Sequence, residues 1–170
     1  MVTDNLVFES LSLGSLKTEE VIQIIKKFLE DDPDAEYSLV IGTDSQEKAS
    51  LSNGSKKINL VTAILVHRKG FGGRYFWNRT YKNNIYSLRE KIYAETMTSL
   101  NFASIFVPQL KRGLNGHSPK YHLEIHIDVG EHGDTRDMIK EVVGMVNGNG
   151  YVAKTKPEAY GASYVADKYT

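Results

Sequence analysis

The run Tyr121-His122-Leu123-Glu124-Ile125-His126-Ile127-Asp128 alternates apolar and ionisable residues without a break. A period of two puts Tyr121, Leu123, Ile125 and Ile127 on one side of the backbone and four ionisable groups on the other. The stretch therefore reads as a strand with one buried face and one chemically active face, ending on a carboxylate. A second strand-like run, Tyr37 to Asp44, also ends on an Asp, within Val40-Ile41-Gly42-Thr43-Asp44-Ser45-Gln46. Two strands that each finish in a carboxylate predict a metal site at one edge of a sheet.

Outward from these two strands, the chain reads as one α/β domain. Residues 1–16 read as an irregular lead-in. Thr18-Glu19-Glu20 opens an amphipathic helix to about Glu30, with Val21, Ile24, Ile25, Phe28 and Leu29 as its stripe. Pro33 stops it, because proline disfavours helical geometry in the residue before it. Residues 1–35 are expected to pack on the same domain as residues 36–170. Three strands follow: Tyr37–Asp44, about Lys57–Arg68, and Arg74–Tyr81. The turns at Asn53-Gly54 and Gly70-Phe71-Gly72-Gly73 are short, which implies an antiparallel meander. A long helix is expected from about Ile85 to Phe106, then a loop containing Pro108, Gly113, Gly116 and Pro119. After the strand at 121–128, Asp134-Thr135 is placed to cap a helix with Met138, Val142, Val143, Met145 and Val146 as its stripe. A short strand, Tyr151–Thr155, and a last helix from about Ala159 complete the chain. The later strands must join through crossovers, which favours parallel pairing. The expected result is a mixed five-stranded sheet with helices on both faces.

That order of elements resembles the ribonuclease H-like fold: three antiparallel strands, a helix, then two βα units. The motifs Ile41-Gly42-Thr43-Asp44-Ser45-Gln46, His126-Ile127-Asp128-Val129-Gly130 and Lys154-Thr155-Lys156-Pro157, with Ala162-Ser163 after them, are similar to those of an uncharacterised bacterial family in that superfamily. The resemblance covers about residues 36–170. It implies a carboxylate on the first strand, matched by Asp44, and one at the end of the fourth, matched by Asp128. It also implies a Glu on the long helix and a carboxylate on the final helix, where Asp167 is the candidate. For the helix Glu, the chain offers Glu90 and Glu95. Glu95 interrupts an apolar stripe of Leu88, Ile92, Ser99, Phe102 and Phe106, so it points towards the sheet. Glu90 lies nearer the helix start, where the superfamily residue is often found. The preferred set is Asp44, Glu95, Asp128 and Asp167, holding one or two Mg²⁺ or Mn²⁺ ions.

The resemblance thus implies a metal-dependent nuclease acting on RNA, DNA or a hybrid. The alternative is a non-catalytic nucleic-acid or nucleotide binding module on the same fold, since fold alone does not confer activity. Each site residue has a plainer reading beside this one. Asp44 could cap a turn, Asp128 could enter a loop, Glu95 could pair with a buried base, and Asp167 could be solvated near the terminus. His122, Glu124 and His126 share the Asp128 face and read mainly as hydrogen-bonding support. His132 and Asp134 lie in the next loop. Lys154 and Lys156 alternate along the last strand, as phosphate contacts or as edge lysines. Arg74, Arg79 and Lys82 with Tyr75, Trp77 and Tyr81 mix bases and aromatics. Sheet packing is the main reading for them, and stacking of single-stranded bases the other.

Composition limits these readings. In 170 residues, Lys+Arg and Asp+Glu are both 21, so no bulk positive charge attracts nucleic acid and any such groove must be local. With no cysteine, disulfides and Cys-zinc sites are excluded. Met1-Val2-Thr3-Asp4-Asn5 lacks the features of a signal peptide, and no stretch has about 18 consecutive apolar residues, so a cytoplasmic protein is expected. Oligomeric state is not readable from the chain.

Overall fold

The computed structural model of the chain describes residues 6–114 and 120–170. Met1–Asn5, Gly116, Pro119 and the side chains of Ala162 and Ser163 fall outside the described residues. The sheet has seven strands rather than five, in the order β2-β1-β5-β4-β3-β6-β7. The two extra strands come from the expected lead-in: β1 (Val7–Ser10) and β2 (Gly14–Lys17) form a hairpin that joins the edge of β5 through Glu9 opposite Trp77. Four-residue strands carry too little alternation to be recognised by period.

The meander consists of β3 (Tyr37–Ser50), β4 (Lys56–Arg68) and β5 (Gly72–Ile85), paired antiparallel. Asp44 does not end its strand. The polar stretch after it stays in the ladder, with Ser45 opposite Leu60 and Glu47 opposite Ile58, and Asp44 itself faces Val61. Backbone pairing does not need apolar side chains, so the polarity of Glu47–Ser50 hid the extension. Gly54, at φ 82°, closes the turn in the left-handed region that a side chain would strain.

Helix α1 (Thr18–Asp31) buries Val21, Ile22, Ile25, Phe28 and Leu29. Each such side chain contributes about 1.5–3 kcal/mol when removed from water. Glu20 accepts a hydrogen bond from the Lys17 N–H at 2.7 Å, satisfying one open donor at the helix start. At the other end, the Tyr37 hydroxyl approaches the carbonyls of Phe28 (3.1 Å) and Asp32 (2.9 Å). Helix α2 (Leu88–Leu114) is longer than expected, since it runs through Pro108, which lies on the exposed side. There, water can satisfy the backbone groups a proline disturbs. Ile85, expected to start this helix, is the last residue of β5.

Strand β6 (Tyr121–His126) runs parallel to β3, from Tyr37 opposite Tyr121 to Gly42 opposite His126, and β7 (Val152–Lys154) runs parallel to β6. The alternating run thus leaves the ladder two residues before Asp128. Helix α3 (Ile139–Gly148) follows a 3₁₀ turn at Arg136–Met138. The expected cap at Asp134-Thr135 is not made: Thr135 makes no capping bond, and its hydroxyl instead lies 3.4 Å from the Gly130 N–H. The chain ends in a π-helical turn (Gly161–Ala166) and a 3₁₀ turn (Asp167–Tyr169).

The two faces of the sheet are covered differently. Leu39, Ile41, Ile64, Val66, Phe76 and Ile125 form the main core with α1, α2 and α3. The opposite face carries a smaller cluster in which Val61, Ala63 and Trp77 pack against Ala166 of the C-terminal segment. The mixed α/β architecture has helical cover on both faces, in unequal amounts. Among the described residues, no helix is long and apolar enough to cross a membrane.

Candidate active site

Because β6 partners β3 only as far as Gly42, the next residues of β3 lie where the sheet opens on that side. Successive side chains point to opposite faces. Asp44 belongs to the face covered by the C-terminal segment, and Ser45 to the face covered by α2. Asp44 is influenced here by Asp128 and Asp167, and Glu95 by Asp44 and Asp128.

Glu95 reaches Ser45 from α2. It is 3% exposed, and its Oε1 accepts a 2.5 Å hydrogen bond from the Ser45 hydroxyl. The same helix–strand seam continues through Ser99, 2.7 Å from the Thr43 hydroxyl, which is 3.0 Å from that of Thr62. Glu90 is used elsewhere. It is exposed and its carboxylate accepts from the Tyr86 N–H, while the Ser87 hydroxyl accepts from the Glu90 N–H, so the pair caps the start of α2.

Asp44 is 7% exposed and hydrogen-bonded to the side chain of Asp167. Two carboxyls form such a bond only when one keeps its proton. Burial, first, and then the bond to Asp167 and the charges of Asp128 and Asp167 push the Asp44 carboxyl up to about 7. The Glu95 carboxyl is pushed up to about 8, chiefly by burial, with Asp44 and Asp128 adding to the rise and the Ser45 bond opposing it. Asp128 lies just beyond β6, and Lys156 forms an ion pair with it at 3.2 Å. Asp44 is therefore an electrostatic neighbour of Asp128, Asp167 and Glu95, and Glu95 also of Asp128. Among the described residues, however, no three His, Cys, Asp or Glu side chains are already disposed as a metal-ligand group. Each acidic group instead has a nearer partner: Asp44 bonds Asp167, Glu95 accepts from the Ser45 hydroxyl, and Asp128 pairs with the Lys156 ammonium.

Of the described histidines, His126 is engaged elsewhere. His126 is buried, and its Nδ1 accepts a 3.0 Å hydrogen bond from the Gly161 N–H. Its other nitrogen then carries the proton and donates to Glu124 at 2.9 Å. Burial lowers the His126 pKa, which agrees with a neutral ring. With both nitrogens engaged, His126 serves as a strut between β6 and the C-terminal segment. His122, His132 and Asp134 are exposed. Tyr75 and Trp77 are not presented for base stacking, because Tyr169 lies against them. Tyr81 remains 58% exposed, with Lys57 Nζ 5.0 Å from its ring centre.

A cleft of about 550 Å³ opens beside Asp128, lined by Gly130, His132, Thr155, Lys156 and Glu158 among others. A roomier cleft, about 830 Å³, lies between β2, α1 and the end of α2 and contains none of the four carboxylates. Polar side chains gathered beside the Lys156–Asp128 ion pair are the better mark of a site than volume alone. Ser45 and Tyr169 were missed by the pattern reading. Ser45 stands beside Asp44 in the strand motif, so that signal was available. Tyr169 offered none.

The ribonuclease H-like family profile matches residues 20–170. The chain is also 32% identical over 180 residues to the uncharacterised protein YkuK of Bacillus subtilis (strain 168), with 99% of each chain covered. No solved structure matches it. The chain belongs to the ribonuclease H-like family, a membership that points to a role connected with nucleic acid.

Proposed function

We propose that the protein is a metal-dependent phosphodiesterase that hydrolyses nucleic acid at Asp44, Glu95, Asp128 and Asp167. The observation that carries this reading is the burial of Asp44 and Glu95 within electrostatic reach of each other and of Asp128, with Asp167 bonded to Asp44, which pushes the first two carboxyls up to about 7 and about 8. Such crowding is costly for folding alone, and strongly shifted groups in a cleft are concentrated at functional sites.

The donor set fits a hard divalent cation. Carboxylate oxygens suit Mg²⁺ and Mn²⁺, and a dication would offset the repulsion between the Asp44, Asp128 and Glu95 charges. Asp44, Glu95, Asp128 and Asp167 would hold it. When bound, it would polarise a phosphoryl oxygen and lower the pKa of an attacking water. Ser45 orients Glu95 through its hydrogen bond. Lys156, at the mouth of the adjoining cleft, would exchange Asp128 for a substrate phosphate. Because the chain has no net charge, this attraction would be local rather than spread over the surface.

The test is cleavage of labelled RNA, DNA and hybrid substrates with Mn²⁺, comparing wild type with Asp44→Asn purified identically. Cleavage lost in the variant supports the proposal and identifies the substrate. Equal cleavage in both points to another site. Binding without cleavage in both favours a non-catalytic module, a reading that the lack of a preformed ligand group among the described residues would then support.

A further inference from the structure

Asp167 is exposed, in a three-residue 3₁₀ turn that buries none of its own residues. Its neighbours are nevertheless fixed. The ring of Tyr169 stacks on Trp77 with centroids 3.7 Å apart and planes 8° from parallel. The Tyr169 hydroxyl lies 2.7 Å from that of Tyr75. Arg79 donates to the Tyr169 carbonyl, and Lys48 to the Thr170 carbonyl at 3.4 Å. The Asp167 carbonyl accepts from both the N–H and the hydroxyl of Thr170. Upstream, Ala166 is fully buried against the sheet. Gly161 sits so close to it that a Cβ there would lie 2.5 Å from Val40 Cγ1.

Trp77 and Arg79 are on the same face of β5 as each other, and Arg79 shares a row of the sheet with Val61 and Asp44. The clasp therefore closes next to the strand position that Asp167 must reach. We propose that Trp77, Tyr169 and Arg79 are positioning residues. They hold the segment Gly161–Tyr169 on the sheet so that Asp167 completes the carboxylate cluster. Tyr75, Trp77 and Arg79 of β5 thus act on the protein's own C-terminal segment. This inference rests on the metal-site reading above.

The experiment is a double-mutant cycle on Mn²⁺ affinity, read from the electron paramagnetic resonance of free Mn²⁺ in the full chain. Trp77 is the sole tryptophan, so its emission reports independently whether the clasp has opened. Tyr169→Ala should shift the Trp77 emission and weaken Mn²⁺ binding by about tenfold, the lower end of the effect of losing a ligand-orienting partner. Tyr169→Phe, which keeps the stack, should retain most of the affinity. In an Asp167→Asn background, Tyr169→Ala should have no further effect on affinity, because Tyr169 acts through Asp167. If the emission shifts but affinity is unchanged, or if the loss is equal in both backgrounds, the positioning role is overturned while the metal site stands. If wild type binds no Mn²⁺, the metal-site reading itself fails, and the positioning role falls with it.

Discussion

The Ser45 hydroxyl donates to Glu95 Oε1 at 2.5 Å, while the preceding residue, Asp44, turns to the opposite face and bonds Asp167. One dipeptide of β3 thus joins the α2 side of the sheet to the C-terminal side. Ser45→Ala would leave a carboxyl that is 3% exposed without the bond that favours its charged form. The expected cost is about 1–3 kcal/mol of stability, together with weaker Mn²⁺ binding because Glu95 becomes harder to ionise. Thermal unfolding and a Mn²⁺ titration of the variant check this. Unchanged affinity would separate Glu95 from the metal site.

Glu90 and Glu95 lie on the same helix but have different work. Glu95→Gln is expected to abolish cleavage and leave the fold intact, since the amide keeps the shape and can still accept from Ser45. Glu90→Gln should leave cleavage close to wild type and cost at most about 1 kcal/mol, the scale of a weakened helix start. Cleavage rates and melting temperatures of the two variants, measured side by side, decide it. Equal loss of cleavage in both would contradict the assignment.

The raised carboxyls make stability depend on pH in a definite direction. Asp44 and Glu95 bind protons more tightly folded than unfolded, so between about pH 4 and pH 8 the folded state holds more protons. Their contribution is therefore most favourable below the ordinary carboxylate range and is lost as pH rises through about 7 and about 8. Without metal, the melting temperature should fall from pH 5 to pH 8. Asp44→Asn should flatten this fall and stabilise the metal-free protein at pH 8, on the order of 1–3 kcal/mol. Mg²⁺ or Mn²⁺ should raise the wild-type melting temperature, most strongly at pH 8, and should leave Asp44→Asn unmoved. An equal rise in both proteins would count against this site.

Much of this arrangement was legible in the residues, for reasons specific to each. The strict alternation of Tyr121–Asp128 and the apolar run of β4 announce buried strand faces, and the break that Glu95 makes in the stripe of α2 marks it as inward. What could not be read depended on pairing. The ladder past Asp44 is polar on both sides, so only the partner strand reveals that Asp44 is internal. The β1–β2 hairpin is too short to show a period. The Trp77–Tyr169 stack joins residues 92 positions apart (169 minus 77), for which the chain carries no local trace. Nor does the chain show locally that Asp44 pairs with Asp167, Glu95 with Ser45 and Asp128 with Lys156.

Lys156 gives the last test. Its ammonium occupies the place beside Asp128 that a cation would need, at 3.2 Å, and its stem lies against Gly130, where a Cβ would come within 3.1 Å of Lys156 Cβ. The ion pair is half-exposed on the lysine side, so its own contribution to stability is small, about 0–1 kcal/mol. Its electrostatic effect on a neighbouring dication is unfavourable, since it competes for the same carboxylate and repels the same charge. Lys156→Met should therefore change the melting temperature little, tighten Mn²⁺ binding severalfold, and yet weaken nucleic-acid binding. The salt dependence of that binding should become shallower, because one phosphate contact has been removed. Calorimetric Mn²⁺ titration and a salt series of nucleic-acid affinities measure the two effects separately. If Mn²⁺ affinity falls together with nucleic-acid affinity, Lys156 supports the carboxylate cluster instead of competing with the cation for Asp128.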